Sequence, residues 1–190
     1  DSQDVGVLGA WGVATFERPR FSANPFCCRG EGADALSTAG SAFWTDYLAT
    51  TAARLIPGTR AIGLAFAVRD RANFYRFDWM AGAREFRLVR RRNGKEQVLA
   101  RKSGVLGLDQ WYQLEVLAVG DRIEVGVDRN ALFVVEDPGL YGGRVGLWYQ
   151  GSEAAYFDDV AVSSVAPADL AKPLIQVVYA SHLNQCSCWG

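Results

Sequence analysis

Ile62, Leu64, Phe66 and Val68 alternate with Gly63, Ala65 and Ala67, and this two-residue rhythm returns wherever apolar residues gather along the chain. Such alternation gives a strand one buried face and excludes an amphipathic helix over the same residues. Phe74-Tyr75-Arg76-Phe77-Asp78-Trp79 reads as a second, aromatic strand. Phe86 to Arg91 and Gln97 to Arg101 flank Asn93-Gly94, a strong two-residue hairpin signal. Trp111 to Ala118 and Arg122 to Asp128 flank Gly120-Asp121, a second hairpin. Arg129-Asn130 turns the chain into Ala131 to Val135, which Asp137-Pro138-Gly139 ends; Val145 to Gln150 and Tyr156 to Ser163 follow. Turns at this spacing predict an all-β protein, an antiparallel two-sheet β-sandwich or jelly roll. Only one short alanine-rich stretch departs from the pattern.

A chain of 190 residues with 49% hydrophobic residues can bury a core in a single domain without metal or disulfide. The predicted domain spans 1–164. Beyond it, Val165-Ala166-Pro167-Ala168 resembles a linker, and 165–190 is too short for a core of its own, although Leu174 to Tyr179 has strand character. No apolar run approaches the roughly 18 residues of a membrane span. Asp1-Ser2-Gln3-Asp4 reads like a start left by leader removal.

The Gly120-Asp121 hairpin resolves into two faces. Tyr112, Leu114, Val116, Ala118, Ile123, Val125 and Val127 form an oily face, whereas Gln113, Glu115, Leu117, Arg122, Glu124 and Asp128 form the other. A two-residue loop pairs Leu117 with Glu124 and sets Glu115 diagonal to Glu124. That second face is expected to be wet, as plain surface or as a binding face.

Cys27 and Cys28 lie near the start and Cys186 and Cys188 near the end, with no cysteine between. This spacing suits a zinc site poorly. Two disulfides tethering the tail, in either cross-connectivity, are the simplest expectation, ahead of free or intermolecular thiols. Loops this long contribute about 4–5 kcal/mol each in the chain-entropy model. Disulfides imply an oxidising compartment, hence a secreted or cell-surface protein. The only histidine, His182, sits in the tail, which argues against a Ser-His-Asp triad or a histidine metal site.

Phe43-Trp44-Thr45-Asp46-Tyr47, Gly63-Leu64-Ala65-Phe66, Asn73-Phe74-Tyr75-Arg76-Phe77, Gln110-Trp111-Tyr112-Gln113-Leu114, Ile123-Glu124-Val125-Gly126-Val127-Asp128, Gly143-Arg144-Val145-Gly146-Leu147 and Phe157-Asp158-Asp159-Val160 resemble, in order and spacing, the concanavalin A-like (laminin-G-like) lectin/glucanase sandwiches over about residues 7–163. The resemblance implies carbohydrate-binding, hydrolase-like or adhesion roles, among which a fold does not choose. Glycosidases of that superfamily carry an E-x-D-x-x-E strand, and no such string occurs here. The resemblance also implies a structural Ca²⁺ held by an acid on the last strand, Asp158 or Asp159, with Phe157 inward. Two adjacent aspartates on a strand point oppositely, so only one of them would be a ligand.

Sugar recognition needs aromatic rings for C–H faces and planar charged groups for hydroxyl pairs. Trp79, Tyr141, Trp148 and Tyr149 lie at strand ends or beside loops, and Trp148 has the parity that leaves the core. Arg76 and Asp78 beside Trp148 would form a cradle if their strands share a sheet. The carbohydrate-binding candidates are therefore Arg76, Asp78, Trp79, Glu115, Glu124 and Trp148. Residues 84–102 hold eight cations against two acids, and 109–159 hold ten acids against three arginines. Such polarity suits an acidic polysaccharide or self-association. A net charge of −1 gives no general attraction to nucleic acid. The expectation is a non-catalytic, exported carbohydrate-binding module; the alternatives are a structural or adhesion subunit of a larger assembly and a sugar-processing hydrolase.

Overall fold

A computed structural model describes residues 8–15 and 26–166. It contains β1 (Leu8–Thr15), β2 (Phe26–Ala39), β3 (Tyr47–Arg54), β4 (Thr59–Asp70), β5 (Asn73–Met80), β6 (Glu85–Arg92), β7 (Lys95–Ser103), β8 (Trp111–Val119), β9 (Arg122–Val127), β10 (Asn130–Glu136), β11 (Arg144–Gly151) and β12 (Ala155–Ser164). Each strand expected between Ile62 and Ser163 is present. At Asn93-Gly94 both residues have positive φ, 51° and 75°, the conformation a two-residue primed turn requires.

All pairings are antiparallel, in the order β10-β9-β8-β3-β12-β2-β11-β4-β5-β6-β7, with β1 also on β2. The fourteen-residue β2 pairs with β12 through Cys28–Gly30 and with β11 through Ala35–Ala39. It thereby links one layer, β10-β9-β8-β3-β12, to a second, β11-β4-β5-β6-β7. Tyr47, Leu114, Val116, Ile123 and Val125 of the first layer share one buried cluster with Ile62, Leu64, Phe66, Tyr75, Phe77, Leu147 and Tyr149 of the second. The oily face read from the Gly120-Asp121 hairpin is this core face.

The alanine-rich stretch forms the end of β2 and most of β3. Alanine favours helix, but Ala35, Ala49 and Ala53 are buried in the core, where small side chains let neighbouring strands pack closely. Burial overrides local propensity here. Among the described residues no helix is long and apolar enough to cross a membrane. Cys186, Cys188, His182 and the strand expected at Leu174 to Tyr179 lie outside the described residues.

Candidate functional site

On β5, Tyr75, Phe77 and Trp79 enter the core, so Phe74, Arg76 and Asp78 point out of the second layer. Register then sets Trp148 beside Gly63, Gly63 beside Asp78, and Asp78 beside Arg87. The missing side chain at Gly63 makes this row close-packed: a Cβ there would lie 2.5 Å from the Phe77 carbonyl oxygen and 3.0 Å from Asp78 Cβ. Arg76, Asp78 and Trp148 do share a sheet, as the cradle required.

Their geometry is that of a charged lattice over an aromatic floor. The Arg76 guanidinium lies 3.8 Å above the centre of the Trp148 ring. Its Nε donates to Asp78 at 2.6 Å, and its two terminal nitrogens donate to the Glu96 carboxylate at 3.0 and 3.3 Å. Arg87 donates twice to Asp78, at 2.8 and 2.9 Å. Trp148 Nε1–H donates to Asp34 at 2.7 Å, and Arg91 lies 3.8 Å from the same carboxylate. Beneath them Leu36, Ala61, Ala65, Val68 and Phe74 join Trp148 in a second, smaller apolar cluster.

This arrangement changes the role expected of Trp148. Only 3% of the residue is exposed, and Arg76 occupies its ring face, so the indole orients Arg76 rather than offering a stacking surface. The accessible groups are Asp34, Arg87, Arg91 and Glu96 at the rim. Burial would raise the Glu96 carboxyl, but the Arg76 hydrogen bond and charge, helped by Arg91 and Arg87, hold it below its ordinary value. Sequence reasoning missed these four as site residues. Arg87, Arg91 and Glu96 sat in view within the basic hairpin, but Asp34 lies 114 residues from Trp148 and carried no local signal. The basic segment is also far less cationic than its composition: Arg87 and Arg91 face these acids, and Arg90 is bound to Asp137 at 2.6 and 2.9 Å.

Other candidates fall elsewhere. Trp79 is buried in the core beside Phe86 and donates to the Gly104 carbonyl at 3.1 Å, so it cannot join a binding face. Its parity with Tyr75 and Phe77 forces this. Tyr149 is likewise core. Leu117 does pair with Glu124, as read, but the middle of that face is not wet: Glu115, Leu117 and Glu124 are all fully buried, while Gln113 and Arg122 are partly exposed and Asp128 exposed. Glu115 accepts the Arg129 amide at 3.2 Å, and Glu124 accepts from Arg122. Both glutamates belong to the first layer and cannot join Arg76.

Phe157 faces inward, as expected. A bulge between Asp158 and Ala161, with Asp159 at φ 48°, breaks the strand alternation, and both aspartates line one recess of about 250 Å³ with Cys27, Cys28 and Val160. Asp158 Oδ1 accepts the Asp159 amide at 2.8 Å. Ca²⁺ takes six to eight oxygens. Both carboxylates thus share one recess, and among the described residues no group of three or more acidic, histidine or cysteine side chains is gathered to hold a metal ion.

Cys27 is buried and its neighbour Cys28 exposed. Burial first, then the charges of Asp158 and Cys28, push the Cys27 thiol up to about 11; burial and Asp158 raise Cys28. Since the thiolate is the reactive form, native reduced protein is expected to alkylate slowly at Cys27 at pH 8. The rate should climb as pH approaches 11, which iodoacetamide labelling read by mass spectrometry will show. Rapid labelling of Cys27 at pH 8 would contradict its placement.

No protein-family model matches the chain, and no curated protein does. Solved structures do. A carbohydrate-binding module, CBM66, from Bacillus subtilis superposes with TM-score 0.66 at 20% identity, over 82% of this chain and 96% of that one. Caenorhabditis elegans galectin LEC-6 gives 0.52 at 12%, over 70% and 92%. The GH43 protein BlXynB of Bacillus licheniformis gives 0.59 at 14%, over 75% of this chain and 34% of that one. These likenesses show the fold, an antiparallel β-sandwich of the jelly-roll kind, consistent with the expected concanavalin A-like class.

Proposed function

We propose that the chain is a non-catalytic carbohydrate-binding module whose glycan sits on the outward face of β4, β5 and β6. The carrying observation is the lattice of Arg76, Arg87, Asp78 and Glu96 held rigid over Trp148. Guanidinium and carboxylate edges fixed side by side match the paired hydroxyls of a sugar ring. The superposition on a carbohydrate-binding module and a galectin supports this reading. The lattice does not suit hydrolysis, which needs one carboxylic acid held protonated. Asp78 and Glu96 are both paired with arginine, and Glu96 is held below its ordinary range. Export to the cell surface or medium belongs to the same proposal, on the vicinal cysteines and the ligand class.

Affinity electrophoresis through neutral and acidic polysaccharides tests it. One polymer class is expected to retard the protein, and Arg87→Ala/Glu96→Ala is expected to lose most of that retardation while remaining folded, because Arg76 still pairs with the buried Asp78. Equal retardation of the variant would remove this face as the site. Because Asp78 and Glu96 are already paired with arginine, retardation at this face should be the same with calcium and with chelator.

A further inference from the structure

At one end of the sandwich three aromatic side chains stand in solvent: Phe43 is 91% exposed, Tyr141 47% and Trp44 37%. They come from the β2–β3 and β10–β11 loops, nearly 100 positions apart in sequence. The loops are tied together there: Gly143 N–H donates to the Trp44 carbonyl at 2.9 Å, and the Tyr141 hydroxyl donates to Asp46 at 2.8 Å. Exposed rings on a soluble surface cost solvation and mark contact sites when they cluster.

The loops that carry the rings are also held. Ser41 holds the turn, its carbonyl accepting from Trp44 N–H at 3.3 Å and its hydroxyl from Phe43 N–H at 3.2 Å. The Trp44 ring packs on Gly40, where any Cβ would collide with it. Asp46 is fixed from both sides, by Tyr141 and by the Gly120 amide at 2.9 Å, and Arg69 donates to the Tyr141 carbonyl. Beside the rings a recess of about 10 Å³, room for one water-sized group, is lined by Asp46, Tyr47, Tyr75, Asp137 and Tyr141 among others.

Exposed rings on held loops, with fixed polar groups at their edge, have the chemistry that stacks a sugar's C–H face and takes a hydroxyl. We propose that Phe43, Trp44 and Tyr141 form a second, stacking glycan platform, distinct from the charged lattice, for an uncharged polysaccharide. The acids Asp46 and Asp121 bordering Tyr141 disfavour an anionic polymer or an anionic membrane. The ligand class rests on the carbohydrate-binding reading; the location does not.

The test compares the wild type, Phe43→Ala/Tyr141→Ala and Arg87→Ala/Glu96→Ala on gels containing a soluble β-glucan, a xylan, a galactan or a fructan. The ¹H–¹⁵N spectrum of each is recorded with and without the oligosaccharides of the same polymer. Phe43→Ala cannot disturb packing, since almost none of the ring is buried. The tip variant is expected to weaken retardation about tenfold per ring, and the wild-type Trp44 indole and the 41–46 and 140–143 amides are expected to shift. A tip variant retarded like the wild type, with no such shifts, overturns this platform and leaves the lattice reading standing. Retardation lost in the tip variant and unchanged in the lattice variant supports the platform and refutes the lattice. A wild type retarded by nothing refutes both. Sedimentation with phosphatidylcholine vesicles that the tip variant abolishes would identify a membrane surface instead, and overturn the proposal.

Discussion

Asp78→Ala is expected to lower the melting temperature by about 10 °C. The carboxylate is wholly buried and binds two arginines, Arg76 at 2.6 Å and Arg87 at 2.8 Å, of which Arg76 is itself almost wholly buried. Removing the acid leaves cationic groups in a poorly solvated place. Losing one partner of a buried pair costs about 3–5 kcal/mol, and a domain of this size loses about 2–4 °C per kcal/mol. Glu96→Ala supplies the contrast. That carboxylate is 43% exposed, and an ion pair so well solvated contributes at most about 1 kcal/mol. Thermal denaturation of both variants, followed by circular dichroism, should therefore separate them clearly. A loss at Asp78 no larger than at Glu96 would mean that water reaches the lattice, and the rigid arrangement proposed for sugar recognition would not hold.

Phe157→Ala should be as damaging for a different reason. Its ring is fully buried, 5.8 Å from the Trp11 ring, at the last position where β12 pairs with β2 before the bulge. Removing a buried phenyl ring costs about 3–5 kcal/mol, the spread reflecting how far the surroundings collapse. Urea unfolding measures that loss. The recess holding Cys27 is lined by Phe157 as well. The same variant should therefore alkylate faster at Cys27 at pH 8 than the wild type, by relieving the burial that raises this thiol. Lost stability without faster alkylation would confine the damage to the core.

These two positions show what was legible in the sequence. Phe157 was placed inward by the family resemblance, and the structure buries it there. Strand parity put Arg76 and Asp78 opposite Tyr75 and Phe77; it puts Trp79 on the inward side as well, although Trp79 is among the sugar-binding candidates. Where parity failed, the backbone itself departed from the regular strand: the bulge after Asp158 brings two aspartates to one recess, although alternation separates them. Burial was not legible either. Glu115 and Glu124 lie on the polar side of their hairpin and are nonetheless fully buried, because exposure depends on what covers a face and not on its pattern.

The sequence by itself determined the strands from Ile62 to Ser163, their turns (that after β9 to within one residue, since Asp128-Arg129 makes it), their inward residues and the sandwich class, since all of these follow from local backbone geometry and residue spacing. Only the tertiary structure decided which strands lie side by side. That pairing put Trp148 against Gly63 and Asp78, turned the indole from a sugar platform into a support for Arg76, and recruited Asp34 from a distant strand. It also drew Phe43, Trp44 and Tyr141 to one tip. A binding site is made of residues far apart in the chain, and hydrogen bonding between strands, which local sequence does not encode, is what brings them together.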